Sequence, residues 1–160
     1  MQDTILQKAE SLLTNPVQNA LQQLCDLLEK EVDKYTWVGF YFMDHHTRQL
    51  HLGPYTGAPT DHTVIPFGKG ICGQVAVSGK TYLAENVEEE SNYIACSVDV
   101  KSEIVVPLYN GKELVAQLDI DSNELNAFSE RDEELLGQIC RMLGHAYGNA
   151  LRFEEFFKTY

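Results

Sequence analysis

Basic residues are scarce in this 160-residue sequence: 12 lysines and arginines stand against 24 aspartates and glutamates, a formal charge of −12. Such a field repels nucleic acid and anionic lipid, and no compact basic patch offsets it, so neither is an expected partner. No apolar run approaches the length of a membrane span, and no membrane association is expected. The opening "MQDTILQKAESLL" is amphipathic and carries acids, unlike a signal or transit peptide, which points to a cytoplasmic protein. Internal repeats, low-complexity segments and Pro/Gly/Ser-rich linkers are also missing, so residues 1–160 read as a single domain. The four cysteines, at 25, 72, 96 and 140, include no C-x-x-C pair. Structural disulfides are therefore not expected in a reducing compartment, and the ligand clustering that zinc wants is absent from the spacing, so no metal is expected. What remains is a globular chain whose partners are proteins or small molecules, cationic ones included.

Helical segments are expected at about 2–33 and 130–158, flanking a sheet and its loops at about 36–122. After Asn15–Pro16, read as a cap and first-turn proline, Val17, Ala20, Leu21, Leu24, Cys25, Leu28 and Val32 recur at helical spacing. "TWVGFYFMD", "QLHLGPYTG", "HTVIPF", "TYLAENV", "EIVVPLYN" and "ELVAQLDID" read as strands, the last two joined by a hairpin turn at Asn110–Gly111. Ser129 with Asp132 gives a capping-box start to the last helix. Cys25 and Cys140 fall in apolar helical stripes and read as core. His45 and His46 read as a solvated turn. The pattern is α+β, with helices against one face of an antiparallel sheet. Leu151, Phe153, Phe156 and Phe157 exceed one domain's apolar needs, which suggests a homodimer through the terminal helices; the alternative is that this tail folds back on its own sheet.

Alternation along residues 113–121 sends Leu114, Ala116, Leu118 and Ile120 one way and Val115, Gln117, Asp119 and Asp121 the other. A row of a glutamine and two aspartates is either a solvated strand face or a site. Glu103 opens the partner strand and can bring in a third carboxylate. Clustered acids repel one another, which raises at least one pKa and leaves a proton available near neutral pH. They would also hold a cationic amine. Cys72, inside "FGKGICGQVAV", sits where a helix begins, and that terminus is expected to stabilise a thiolate. Cys96 sits in the irregular stretch "EEESNYIACSVDVKS", the kind of loop in which reactive groups lie.

In order, "WVGFY", "LGPYTG", "IPFGKGICG", "IAC", "KSEIVVPL" and "LDIDS" resemble the free methionine-(R)-sulfoxide reductases, enzymes built on a single GAF domain. The resemblance implies a central antiparallel sheet with the N- and C-terminal helices on one face and a ligand pocket on the other. It matches Cys96 to the nucleophile, Cys72 to a resolving cysteine, and Glu103, Asp119 and Asp121 to the acids around the substrate. Trp37 and Tyr41, on one strand face, would wall the substrate or serve as core. The implied reaction is thiol-dependent reduction of free methionine sulfoxide through a Cys96 sulfenic acid and a Cys72–Cys96 disulfide. It needs no bound cofactor, and thioredoxin or another dithiol would be the reductant. The chain departs from the family pattern at His62, where a further cysteine is common, at Asn92, Tyr93 and Ser97 around "IAC", and at Ala116–Gln117. Resolution would then rest on Cys72 alone, and Gln117 would narrow or re-aim the substrate site. The alternative reading is a non-catalytic GAF module that senses a small ligand or redox state.

Overall fold

The computed structural model describes residues 2–90, 93 and 99–159. Two helices open it, α1 (Gln2–Ser11) and α2 (Val17–Glu31), separated by a 3-10 turn at Leu12–Thr14. Pro16 itself precedes α2, its carbonyl accepting from the Ala20 N–H at 2.9 Å. The Asn15 side chain does not cap; it donates to Gln23 instead (2.7 Å).

Six strands follow: β1 (Trp37–Asp44), β2 (Gln49–Thr56), β3 (Val64–Pro66), β4 (Tyr82–Ala84), β5 (Ser102–Asn110) and β6 (Glu113–Ser122). They form one antiparallel sheet in the order β3-β2-β1-β6-β5-β4. β6 is central, so nothing on it meets solvent at a sheet edge. Its alternation holds from Ala116 to Asp121 but fails before that. Leu108 pairs with Ala116 and Tyr109 with Leu114, leaving Val115 as the extra residue of a β-bulge. The bulge turns Val115 into the core under the helices and Leu114 toward the opposite face, the reverse of strict alternation.

The last helical segment is broken in two. α4 (Glu130–Tyr147) starts at the expected capping box, Ser129 N–H donating to Asp132 Oδ2 at 2.8 Å. It stops at Gly148, whose φ of +48° suits glycine, and a 3-10 turn leads into α5 (Phe153–Thr159). The turn lets the tail fold back on its own sheet: Phe156 is fully buried, its ring 4.1 Å from that of Phe42. Leu151 and Phe156 are thus buried within the chain, while Phe153 and Phe157 stay partly exposed beside them.

The sheet separates two apolar clusters. On one face α1, α2, α4 and α5 cover Phe40, Phe42, Ile104, Val106, Leu118 and Ile120, with Cys25 and Cys140 buried among them. On the other, a short helix α3 (Gly70–Ser78) buries Ile71 and Val75 with Trp37, Tyr41, Ile65 and Val105. No helix among the described residues is long and apolar enough to cross a membrane.

Candidate active site

The face of β6 opposite the terminal helices carries Gln117, Asp119 and Asp121, which are 0 %, 1 % and 1 % exposed. They are not a solvated strand face. Asp121 pairs in register with Glu103 on β5, itself buried, and with Trp37 on β1. Burying a polar atom without a partner costs about 1–3 kcal/mol, so sheets normally avoid it. Here Gln117 Oε1, Asp119 Oδ1 and both Asp121 carboxylate oxygens have no hydrogen-bond partner among the described residues. A sheet centre that leaves this many acceptors open is shaped for something else to fill them.

The glycine turn before α3 carries Cys72 to these acids. Gly68 N–H donates to Gly73 O (2.8 Å) and Gly73 N–H to Lys69 O (2.9 Å), folding the segment on itself. A Cβ on Gly73 would stand 2.8 Å from the Pro66 carbonyl oxygen, so the residue after the cysteine has to be small. The fold-back seats Cys72 in the first turn of α3, buried, a free thiol with Sγ 4.0 Å from Glu103 Oε2. From β6, the Gln117 amide donates to the Cys72 carbonyl at 3.1 Å. Gln117 is absent from the lining of the two hollows described below; sitting beneath α3, it holds the backbone of Cys72.

Burial dominates the electrostatics. It pushes Asp119 up from the ordinary aspartate range, and it pushes Asp121 up further, with the charge of Asp119 adding to the effect. Desolvation is thus the first cause of both shifts, and the neighbouring Asp119 charge adds to it at Asp121 alone. The thiolate expected at the α3 terminus is not favoured. Burial, then the charges of Asp119 and Glu103, pushes the Cys72 thiol well above its ordinary value and outweighs the helix terminus.

Two hollows lie side by side along β6. One, of about 20 Å³, is lined by Tyr41, His62, Lys69, Cys72, Glu103 and Asp119. The other, of about 150 Å³, is lined by Trp37, Thr60, Asp99, Val100, Asp121 and Asn123. Tyr41 donates to the His62 carbonyl (2.8 Å), and Trp37 donates to the Ala58 carbonyl (3.0 Å) while stacking on Tyr55 at 5.4 Å. Asp99 and Asn123 were not foreseen. The signal available was that each flanks a motif already singled out, "IAC" and "LDIDS". Larger hollows of about 670 and 700 Å³ occur elsewhere, and neither sets a thiol beside carboxylates. Cys96, Asn92 and Ser97 lie outside the described residues. Tyr93 packs against the apolar cluster on this face.

The antiparallel sheet, with terminal helices behind it and a lined hollow in front, is that of a known class. A family model described as GAF domain matches residues 14–146, and the chain belongs to that family. It is 39% identical to GAF domain-containing protein A of Dictyostelium discoideum, over 88% of this chain and 89% of that one. It is 34% identical to the free methionine-R-sulfoxide reductase of Escherichia coli, over 73% of this chain and 69% of that one. The crystal structure of free methionine-R-sulfoxide reductase from Neisseria meningitidis in complex with its substrate superposes with a TM-score of 0.86. The two are 32% identical, and the match covers 99% of this chain and 92% of that one. Within the GAF domains, the chain belongs to the free methionine-(R)-sulfoxide reductase family.

Proposed function

We propose that this protein reduces free L-methionine (R)-sulfoxide to methionine. The observation that carries the reading is Asp119: a carboxyl whose pKa burial raises, with Oδ1 unpartnered among the described residues, lining the same hollow as the Cys72 thiol. The Cys96 sulfur attacks the sulfoxide sulfur while an acid of the Glu103–Asp119–Asp121 cluster protonates the oxygen. The oxygen passes to Cys96 as a sulfenic acid, and methionine departs. The Cys72 thiol then condenses with that sulfenic acid, giving a Cys72–Cys96 disulfide and water. Thioredoxin or another dithiol reduces the disulfide by exchange. The raised Cys72 thiol needs a base for this step, and Glu103, with Oε2 4.0 Å from Sγ, takes its proton as the S–S bond forms. The Trp37 ring is the wall for the substrate's carbon chain, and Asp121, in the same hollow, pairs with its ammonium group.

The reaction is tested with free methionine R-sulfoxide and dithiothreitol. Wild type should release methionine, and Cys96→Ser should release none. Supplied with thioredoxin, Cys72→Ser should complete one turnover and stop. Normal cycling of Cys72→Ser overturns the resolving role, and an inactive wild type overturns the reaction.

A further inference from the structure

Spacing along the sequence argues against a metal site, yet the fold assembles donors that the chain keeps far apart. Cys72 Sγ, one oxygen of Glu103 and one oxygen of Asp119 all lie within 4.8 Å of one another, and all three side chains are buried. We propose that the reduced protein binds one thiophilic divalent cation of the zinc type, held by Cys72, Glu103 and Asp119.

Three features support this assignment. The first is the donor set. One sulfur with two carboxylate oxygens suits zinc and its neighbours, whereas magnesium and calcium prefer oxygen alone. The second is the geometry. With Zn–S at about 2.3 Å and Zn–O at about 2.0–2.2 Å, a tetrahedral site separates sulfur from oxygen by about 3.5 Å. Cys72 Sγ stands 4.0 Å from Glu103 Oε2, so a contraction of about half an ångström closes that edge. The third is the open valence. Asp119 is 1 % exposed, yet its Oδ1 has no hydrogen-bond partner among the described residues, and Asp119 lines the hollow that Cys72 and Glu103 also line. That hollow, of about 20 Å³, has room for an ion or a water. Three protein ligands leave a fourth position open to water, as in zinc sites that are not purely structural.

A cation seated there would occupy the Cys72 sulfur and the Asp119 carboxylate together. The site would then be a reversible block on whatever chemistry those groups perform. Binding is read without turnover, so this inference stands apart from the proposed reaction.

The test is an anaerobic titration of the reduced full-length protein with cobalt(II), an optical stand-in for zinc. One equivalent should produce a near-ultraviolet thiolate-to-cobalt band with tetrahedral visible bands, and one equivalent of zinc should displace it. Cys72→Ser should lose the near-ultraviolet band, while Cys25→Ser, Cys140→Ser and Cys96→Ser should keep it. Asp119→Asn, close to isosteric, should weaken binding by at least about 10- to 100-fold, the range that losing even an outer-shell partner can reach. It keeps the question open to refutation if Cys72→Ser fails to fold. A band that survives in folded Cys72→Ser, a band lost in Cys96→Ser, unchanged affinity in Asp119→Asn, or no binding by wild type would each overturn the site. A wild type that reduces sulfoxide but ignores cobalt sinks the metal site alone; one that binds cobalt but never turns over sinks the reaction alone.

Discussion

Asp132 and Asp121 are both aspartates, 7 % and 1 % exposed, and the molecule treats them oppositely. Asp132, on the helix side, accepts from Lys34 Nζ (2.8 Å), from the Ser129 N–H and hydroxyl (2.8 and 3.0 Å), and from Tyr35. Burial alone would push its pKa up, but the bonds from Lys34, Tyr35 and Ser129 outweigh that and hold it below the usual value. Asp121, on the pocket side, has no hydrogen bond of ordinary geometry to either oxygen among the described residues; the pull of nearby Glu103 is weaker than burial, which drives it the other way. Burial therefore does not distinguish core from site in this protein; satisfaction of the buried groups does. The two faces of β6 repeat the lesson residue by residue. Leu118 and Ile120 fill the apolar layer under the helices, while Gln117, Asp119 and Asp121, equally enclosed, leave acceptors open.

Adjacent residues on one strand should then fail in different ways. Asp119→Asn should cut kcat/KM for free methionine R-sulfoxide by about 10²- to 10⁴-fold, the span of one general acid, with the fold intact. Leu118→Ala should do the reverse, losing about 2–5 kcal/mol in urea unfolding while the molecules still folded keep their activity. If Leu118→Ala abolishes turnover in fully folded protein, or Asp119→Asn leaves kcat/KM untouched, the division between the faces is wrong. A step down in size, Asp132→Ala should destabilise by about 1–2 kcal/mol through loss of a satisfied helix cap. Its kcat and KM should not move, since nothing it touches lies on the pocket side.

Much of this division was legible in the residues. The period of two from Ala116 to Asp121 separates the faces because side chains on a central strand have only two directions to take. The glycines around Cys72 announced a tight turn, and Ser129 with Asp132 announced a cap. The β-bulge at Val115 was not legible, since an extra residue leaves no composition signal and simply inverts the phase upstream. The break at Gly148 was hidden by apolar residues on both sides that continue a helical stripe. The sign of the Cys72 shift was missed for a three-dimensional reason. A helix terminus is visible in sequence, but the burial and the facing carboxylates that override it come from β5 and β6, far along the chain. The bond from Gln117 to the Cys72 backbone was hidden similarly, because α3 comes to lie over β6 only in three dimensions.

The smallest expected effect has the most telling sign. Asp119 and Asp121 have folded-state pKa values raised above the ordinary 3.8. Well below pH 3.8, folded and unfolded chains are both protonated at these positions, so neither group weighs against folding. As pH rises past 3.8, the unfolded chain releases its protons while the folded chain retains them, and stability falls until the folded groups ionise in turn. Asp121→Asn removes one such group. Its stability should match wild type at about pH 3 and exceed it increasingly as pH rises to 8, by about 1 kcal/mol at the top of that range, the usual gain from relieving a strained functional site. Asp132→Asn should diverge in the opposite direction, becoming less stable than wild type as pH rises, because its native carboxylate is held ionised by its partners. Urea midpoints at four pH values for the three proteins measure both slopes. Parallel lines, or an Asp121→Asn variant weaker than wild type at pH 8, would mean that the open acceptors on this face are matched in solution after all.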